Sequence, residues 1–283
     1  MKTPPPGIRT FNVWGQRLRV SEQGAPDPDR PPLLLINGIG APLDLFEPLR
    51  DALADRHTIA FDVPGVGGSP TPLYPPTMRW LAALVAGLLE ELGYHQVDAL
   101  GLSWGGALAQ ELARRHPHRV RRLVLAATMS GWTSLPGRPA AVAILLTPAR
   151  YYFPTYFAAV APTLYGREIR RHPDVLRRHT HLRTTRPPTP LGYYYQLATL
   201  RRWTSAPWLW RLPQPTLVLA GDEDPIIPLI NSQLLACAIP GARLRVVKGG
   251  GHLFLLLRAQ EMAEELREFL DVPDGPEQPT RSV

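Results

Sequence analysis

The chain has 283 residues, of which 45% are hydrophobic and 19% charged, with a formal net charge of +7. This length and apolar content allow a large buried core and exclude an intrinsically disordered chain. No apolar run approaches the roughly 18 to 20 residues that span a bilayer, and the start Met1 to Pro6 lacks the apolar stretch of a secretory signal, so a cytoplasmic protein is expected.

Ile8 to Val13 and Arg17 to Val20 alternate apolar and polar residues around Trp14-Gly15-Gln16, the pattern of a hairpin. Beyond it come short, fully apolar runs, the mark of strands covered on both faces. The first, Leu33 to Ile36, ends in Asn37-Gly38-Ile39-Gly40, whose glycines let the backbone approach a bound carbonyl. The second is Thr58 to Phe61. The segment Asp62 to Ser69 after it lacks the Lys-Ser/Thr pair of a phosphate loop and the spacing of a dinucleotide fingerprint, and reads as a shaped turn braced by Asp62. Met78, Leu81, Ala82, Val85, Leu88, Leu89 and Leu92 then recur at three- and four-residue steps, predicting a helix.

The apolar run Val97 to Leu100 leads into Gly101-Leu102-Ser103-Trp104-Gly105, followed by a helical run from Ala107 to Arg115. Strand, turn and helix in that order are the setting in which G-x-S-x-G makes a nucleophile elbow, a turn so tight that its flanks must be glycine. Ser103 is therefore the candidate nucleophile. The helix starting at Trp104 brings free N–H groups and a positive dipole end beside the hydroxyl. Trp104 N–H and Ile39 N–H are the expected oxyanion donors, one following the nucleophile and one in the loop after the third strand.

After a strand at Leu123 to Ala126 the alternation of strand and helix stops for more than 80 residues, too long for a plain crossover. Residues 131–212 are expected to form an inserted, mainly helical cap, with 1–130 and 213–272 as the core. This segment holds twelve arginines against two acids, and 13 of the chain's 23 aromatics. Such a composition suits nucleic acid, an anionic lipid surface, an apolar substrate with acidic ends, or a solvated arginine face over an aromatic core.

Two further strands close the pattern. Thr216 to Ala220 is followed by Gly221-Asp222-Glu223-Asp224-Pro225, and Leu244 to Val247 by Lys248-Gly249-Gly250-Gly251-His252. A serine nucleophile needs a base, and a histidine base needs a carboxylate that fixes its tautomer. His252 is the expected base and Asp224 the expected acid, with Asp222 as the rival. Asp222 and Glu223 otherwise serve to hydrogen-bond the turn. The other seven histidines fall before strands, at helix ends or among cap arginines and are read as structural. Cys237 is expected to be small buried filler in a helix. Met262, Leu266, Phe269 and Leu270 mark a last helix, and Pro273 to Val283 a disordered tail. The fold class is thus α/β, a mostly parallel sheet flanked by helices. No zinc or calcium spacing occurs, and no metal or cofactor is expected.

Together these residues resemble the α/β-hydrolase superfamily over nearly the whole chain. The segments LLLINGIGAPLDLFEPL, IAFDVPGVGGSPTP, GLSWGGALAQELA, LGYYYQLATLRRWTS, QPTLVLAGDEDPIIPLIN and GGGHLFLL look like those of intracellular medium-chain-length poly(3-hydroxyalkanoate) depolymerases. Asn37 stands where a histidine is common in the wider superfamily, and asparagine fits the depolymerase pattern. The resemblance implies a serine hydrolase that cuts the esters of a stored polyester at a granule surface, with Ser103, Asp224 and His252 as the triad. The same triad could serve a carboxylesterase, a lactonase or a carbon–carbon bond hydrolase on small soluble substrates. A non-catalytic binder of granules or nucleic acid is the remaining alternative. Three separated motifs in the right order argue against it, and no nucleic-acid partner is expected.

Overall fold

In the computed structural model, which describes residues 7–272, one eight-stranded sheet runs in the order β1-β2-β4-β3-β5-β6-β7-β8. The strands are β1 (Gly7–Val13), β2 (Gln16–Gln23), β3 (Leu33–Ile36), β4 (Thr58–Phe61), β5 (Val97–Leu102), β6 (Val120–Ala126), β7 (Thr216–Gly221) and β8 (Arg243–Val247). The β1–β2 hairpin is antiparallel and joins β4 antiparallel, whereas β4, β3, β5, β6, β7 and β8 are mutually parallel. The α/β class and the leading hairpin stand as the sequence implies.

Alternate residues of β3 show how the sheet is covered. Leu34 and Ile36 enter one core with Leu81, Val85 and Leu88 of α2 (Met78–Glu91, reached after α1, Glu47–Ala52) and Leu108 of α3 (Trp104–Arg115). Leu33 and Leu35 enter the other, with Leu49 of α1. Side chains alternate across a strand, so a strand buried on both faces must be apolar at every position. All four β3 residues are accordingly buried.

Between β6 and β7 lie α4 (Pro139–Leu145), α5 (Pro154–Tyr165), α6 (Pro173–Thr185) and α7 (Pro190–Arg201). Each begins on a proline. Proline costs nothing at a helix's first position, where its missing N–H would be unpaired anyway. The proline density of this segment therefore marks helix starts as well as breaks. Of its twelve arginines ten are exposed, as a solvated face requires, but Arg150 and Arg183 are buried.

The chain finishes with α8 (Leu229–Ala238), α9 (Phe254–Leu257) and α10 (Ala259–Leu270). Cys237 corrects the reading made of it, because it is exposed. The inward residues of α8 include Ser232 and Leu235, and two steps past Leu235 is about 200° around the helix, on the solvent side. Among the described residues no helix is long and apolar enough to cross a membrane. The expected tail, Pro273 to Val283, lies outside the described residues.

Candidate active site

Ser103 sits between β5 and α3 with φ 55° and ψ −118°, a left-handed conformation uncommon for a residue with a side chain. Its N–H donates to the Ala126 carbonyl at 2.9 Å, and its own carbonyl accepts from Thr128 Oγ1 at 2.6 Å. These bonds hold the turn against its strain. The flanking glycines are needed for space. A Cβ on Gly105 would stand 2.1 Å from the Ile36 carbonyl oxygen, and one on Gly101 2.4 Å from that of Gly105. Since the obstacle is backbone, α3 would have to move off β3. Gly105→Ala is therefore expected to destabilise the protein by about 2 kcal/mol or more, because overpacking outweighs the roughly 1 kcal/mol gain in helix propensity. Urea unfolding measures this, and an unchanged or raised midpoint would contradict it.

Asp224 and His252 meet from the ends of β7 and β8. Asp224 Oδ2 lies 2.7 Å from His252 Nδ1, and its Oδ1 accepts from the N–H groups of Ile226 and Ile227 at 2.8 and 3.0 Å. The side chains are only 1% and 6% exposed, so water does not compete for the bond. A carboxylate can only accept, so Nδ1 carries the proton and Nε2 is left as a base. Asp222 goes elsewhere, its Oδ1 accepting from Gly249 N–H at 2.6 Å, and so braces the loop before the histidine. Ser103 and His252 line the same cavity. The hydrogen bonds made among the described residues include Asp224–His252 but not Ser103–His252; such contacts are often long before substrate binds and tighten around it.

Of three successive amides in the loop after β3, two are used. Gly38 N–H donates to Asn37 Oδ1 at 2.8 Å and Gly40 N–H to Gln196 Oε1 at 2.7 Å. Ile39 N–H between them has no partner among the described residues, and Ile39 lines the cavity. Trp104 N–H, the first of α3, is likewise without a partner among those residues. The Trp104 indole is buried and donates to the Gln196 carbonyl at 3.0 Å.

Several residues around the site were not singled out in the sequence. Gln196 of α7 ties both the Ile39 loop and the Trp104 indole to the inserted helices. Tyr151 donates to the Ile39 carbonyl at 2.5 Å. The Tyr165 carbonyl accepts from His252 N–H at 3.1 Å, and its ring stacks on the imidazole with centroids 6.3 Å apart. Glu168 receives Gly251 N–H at 3.3 Å and Arg258 Nε at 2.5 Å. A Cβ on Gly251 would fall 1.9 Å from the Tyr165 carbonyl oxygen, so that glycine is dictated by the approach of the inserted segment. No local pattern assigns these contacts, since each is made across a long stretch of chain.

The cavity is narrow. The space open to the centre of a water molecule is about 50 Å³. Leu45, Leu145, Ile226 and Leu256 make it oily, while Arg150 and Arg183 bring charge to it. Beside Arg183, burial and then the charges of Arg183 and Arg178 push His179 down to about 3, so that histidine is neutral at pH 7.

A serine on a strained strand-to-helix turn, an acid and a histidine after the last two strands, and a mostly parallel sheet below define a class: the chain belongs to the α/β-hydrolase fold family. Residues 31–259 match that family's profile, described as alpha/beta hydrolase fold. Among individual proteins, the chain is 46% identical to a poly(3-hydroxyalkanoate) depolymerase of Ectopseudomonas oleovorans over 94% of each chain. It is 31% identical to a 2-hydroxymuconate semialdehyde hydrolase of Pseudomonas sp. strain CF600, over 94% of this chain and 95% of that one. Among solved structures, the enol-lactonase of Burkholderia xenovorans LB400 superimposes with a TM-score of 0.81 at 25% identity, covering 93% of this chain and all 100% of that one.

Proposed function

We propose that the chain is a serine ester hydrolase of the poly(3-hydroxyalkanoate) depolymerase kind, using Ser103, His252 and Asp224. The observation that carries this reading is the buried Asp224–His252 pair opening onto the cavity that Ser103 also lines, in a chain 46% identical to such a depolymerase. His252 Nε2 takes the Ser103 proton as Oγ attacks the ester carbonyl. Ile39 N–H and Trp104 N–H receive the oxyanion, each worth on the order of 3 kcal/mol. The proton passes to the departing alkoxide, which leaves as a hydroxyl. Water, deprotonated by the same imidazole, then releases the acyl group. No metal or cofactor enters these steps.

On this reading residues 131–212 act as the cap over the site, and the enzyme works in the cytoplasm at a polyester surface. Exposed Leu146, Phe153 and Trp210, with exposed Arg211 over the Trp210 ring, support contact with an oily, anionic granule. Comparing turnover on emulsified medium-chain polyester, short-chain polyester and nitrophenyl esters tests the substrate class. Medium-chain polyester is expected to be preferred. Activity confined to small esters would move the reading to a soluble esterase or lactonase, and absence of fluorophosphonate labelling would remove the serine hydrolase reading altogether.

A further inference from the structure

Arg150 and Arg183 are 2% and 4% exposed, yet neither has a carboxylate partner among the described residues. The segment's two acids are engaged elsewhere, Glu168 with Arg258 and Asp174 with Arg177. Arg150 donates to Tyr193 Oη at 2.6 Å and to the Thr147 carbonyl at 3.3 Å, leaving its Nε buried and unpaired. Arg183 has no hydrogen-bond partner among the described residues, and its Nε is also buried. Its guanidinium rests only on the faces of Tyr151, Phe157 and Tyr165, at 5.0, 5.4 and 5.4 Å. Two buried cations without a counter-ion are costly, and aromatic faces recover only part of what water supplied. An anion arriving in the cavity would satisfy both.

The placement fits such a ligand. Arg150 and Arg183 stand 4.7 and 5.0 Å from the centre of the same Tyr151 ring, so the two charges are no more than about 10 Å apart. Tyr151 in turn bonds the Ile39 carbonyl, and the Tyr165 ring under Arg183 stacks on His252. The Tyr151 ring therefore lies between both cations and the oxyanion loop, and the Tyr165 ring between Arg183 and the imidazole.

We propose that Arg150 and Arg183 form a carboxylate-reading subsite in the Ser103 cavity, so that the ester cut is the one beside the free acid end of a 3-hydroxyacyl chain. This rests on the hydrolase reading above and specifies its substrate. In such a chain the terminal carboxylate carbon lies four bonds from the reacting carbonyl carbon, roughly 5 Å when extended, which suits a cation one ring away from the oxyanion loop. The ester oxygen leaves with a proton as the hydroxyl of the terminal 3-hydroxy acid. Water supplies the oxygen that completes the shortened chain's new carboxylate, and one proton is released. Each turnover thus recreates the end that the arginines recognise, and the enzyme works inward from the acid terminus.

The test compares a 3-hydroxyalkanoate trimer as free acid and as methyl ester. Wild-type kcat/KM is expected to favour the acid by about 10- to 100-fold, the scale of one or two charge-assisted hydrogen bonds. Calorimetric binding to the Ser103→Ala protein should show the same ratio without turnover. In Arg183→Gln the ratio should fall toward one, and in Arg183→Lys it should be partly kept. A wild-type ratio near one, or an unchanged ratio in Arg183→Gln, overturns the subsite. Labelling at Ser103 with a ratio near one would keep the hydrolase and remove the subsite. Acid-selective binding that depends on Arg183 in a protein that does not label would do the reverse.

Discussion

Replacing Ser103 with alanine is expected to lower ester turnover on the order of 10⁶-fold while leaving the protein folded, the scale seen when the nucleophile of a comparable triad is removed. The fold should survive because the change keeps the Cβ that the φ of 55° must accommodate, and the backbone bonds from Ser103 to Ala126 and Thr128 do not involve the hydroxyl. Ester kinetics, fluorophosphonate labelling and thermal melting check the three parts. A variant with normal melting that retains more than a thousandth of wild-type turnover would place the nucleophile elsewhere, since binding and oxyanion donors alone leave only a small residual rate.

Asp224→Asn is expected to cost about 10⁴-fold in kcat, whereas Asp222→Asn should change it by less than about two-fold. In the first variant the new amide can still accept from Ile226 and Ile227 through Oδ1, but it presents an NH₂ group where Oδ2 now faces His252 Nδ1 at 2.7 Å. Nδ1 would then have to accept, the proton would move to Nε2, and no base would face the serine. In the second variant the amide oxygen would keep the bond that Asp222 makes to Gly249 N–H, because that bond needs only an acceptor. Steady-state kinetics of the two variants distinguish the acids. Equal losses would mean that the β7 loop acts as a unit, and a larger loss at Asp222 would reverse the assignment.

The sequence and the structure agree most closely where the signal is local. The runs at Leu33 to Ile36 and Thr58 to Phe61 have the limits of β3 and β4. The Val120–Ala126 strand begins three residues before its apolar run, where Val120 pairs with Val97 of β5, and Arg121 and Arg122 at its start send their guanidinium groups to the Leu270 and Phe269 carbonyls at the end of α10. Apolarity alone could not signal that part of the strand. Cys237 shows a second limit, since being on a helix did not say which side of it faced inward.

Residue periodicity and turn chemistry act over a few positions, and they were enough to specify the parallel sheet and the strained serine turn. Three-dimensional packing decided the rest. It brought Asp224 to His252, sent Asp222 to Gly249, placed Gln196 on the loop of Ile39, and separated Arg150 and Arg183 from ten other arginines of the same segment by burying them. The reason is physical: a contact between residues 28 or 156 positions apart depends on the order of strands and the seating of inserted helices, and no short-range pattern encodes either.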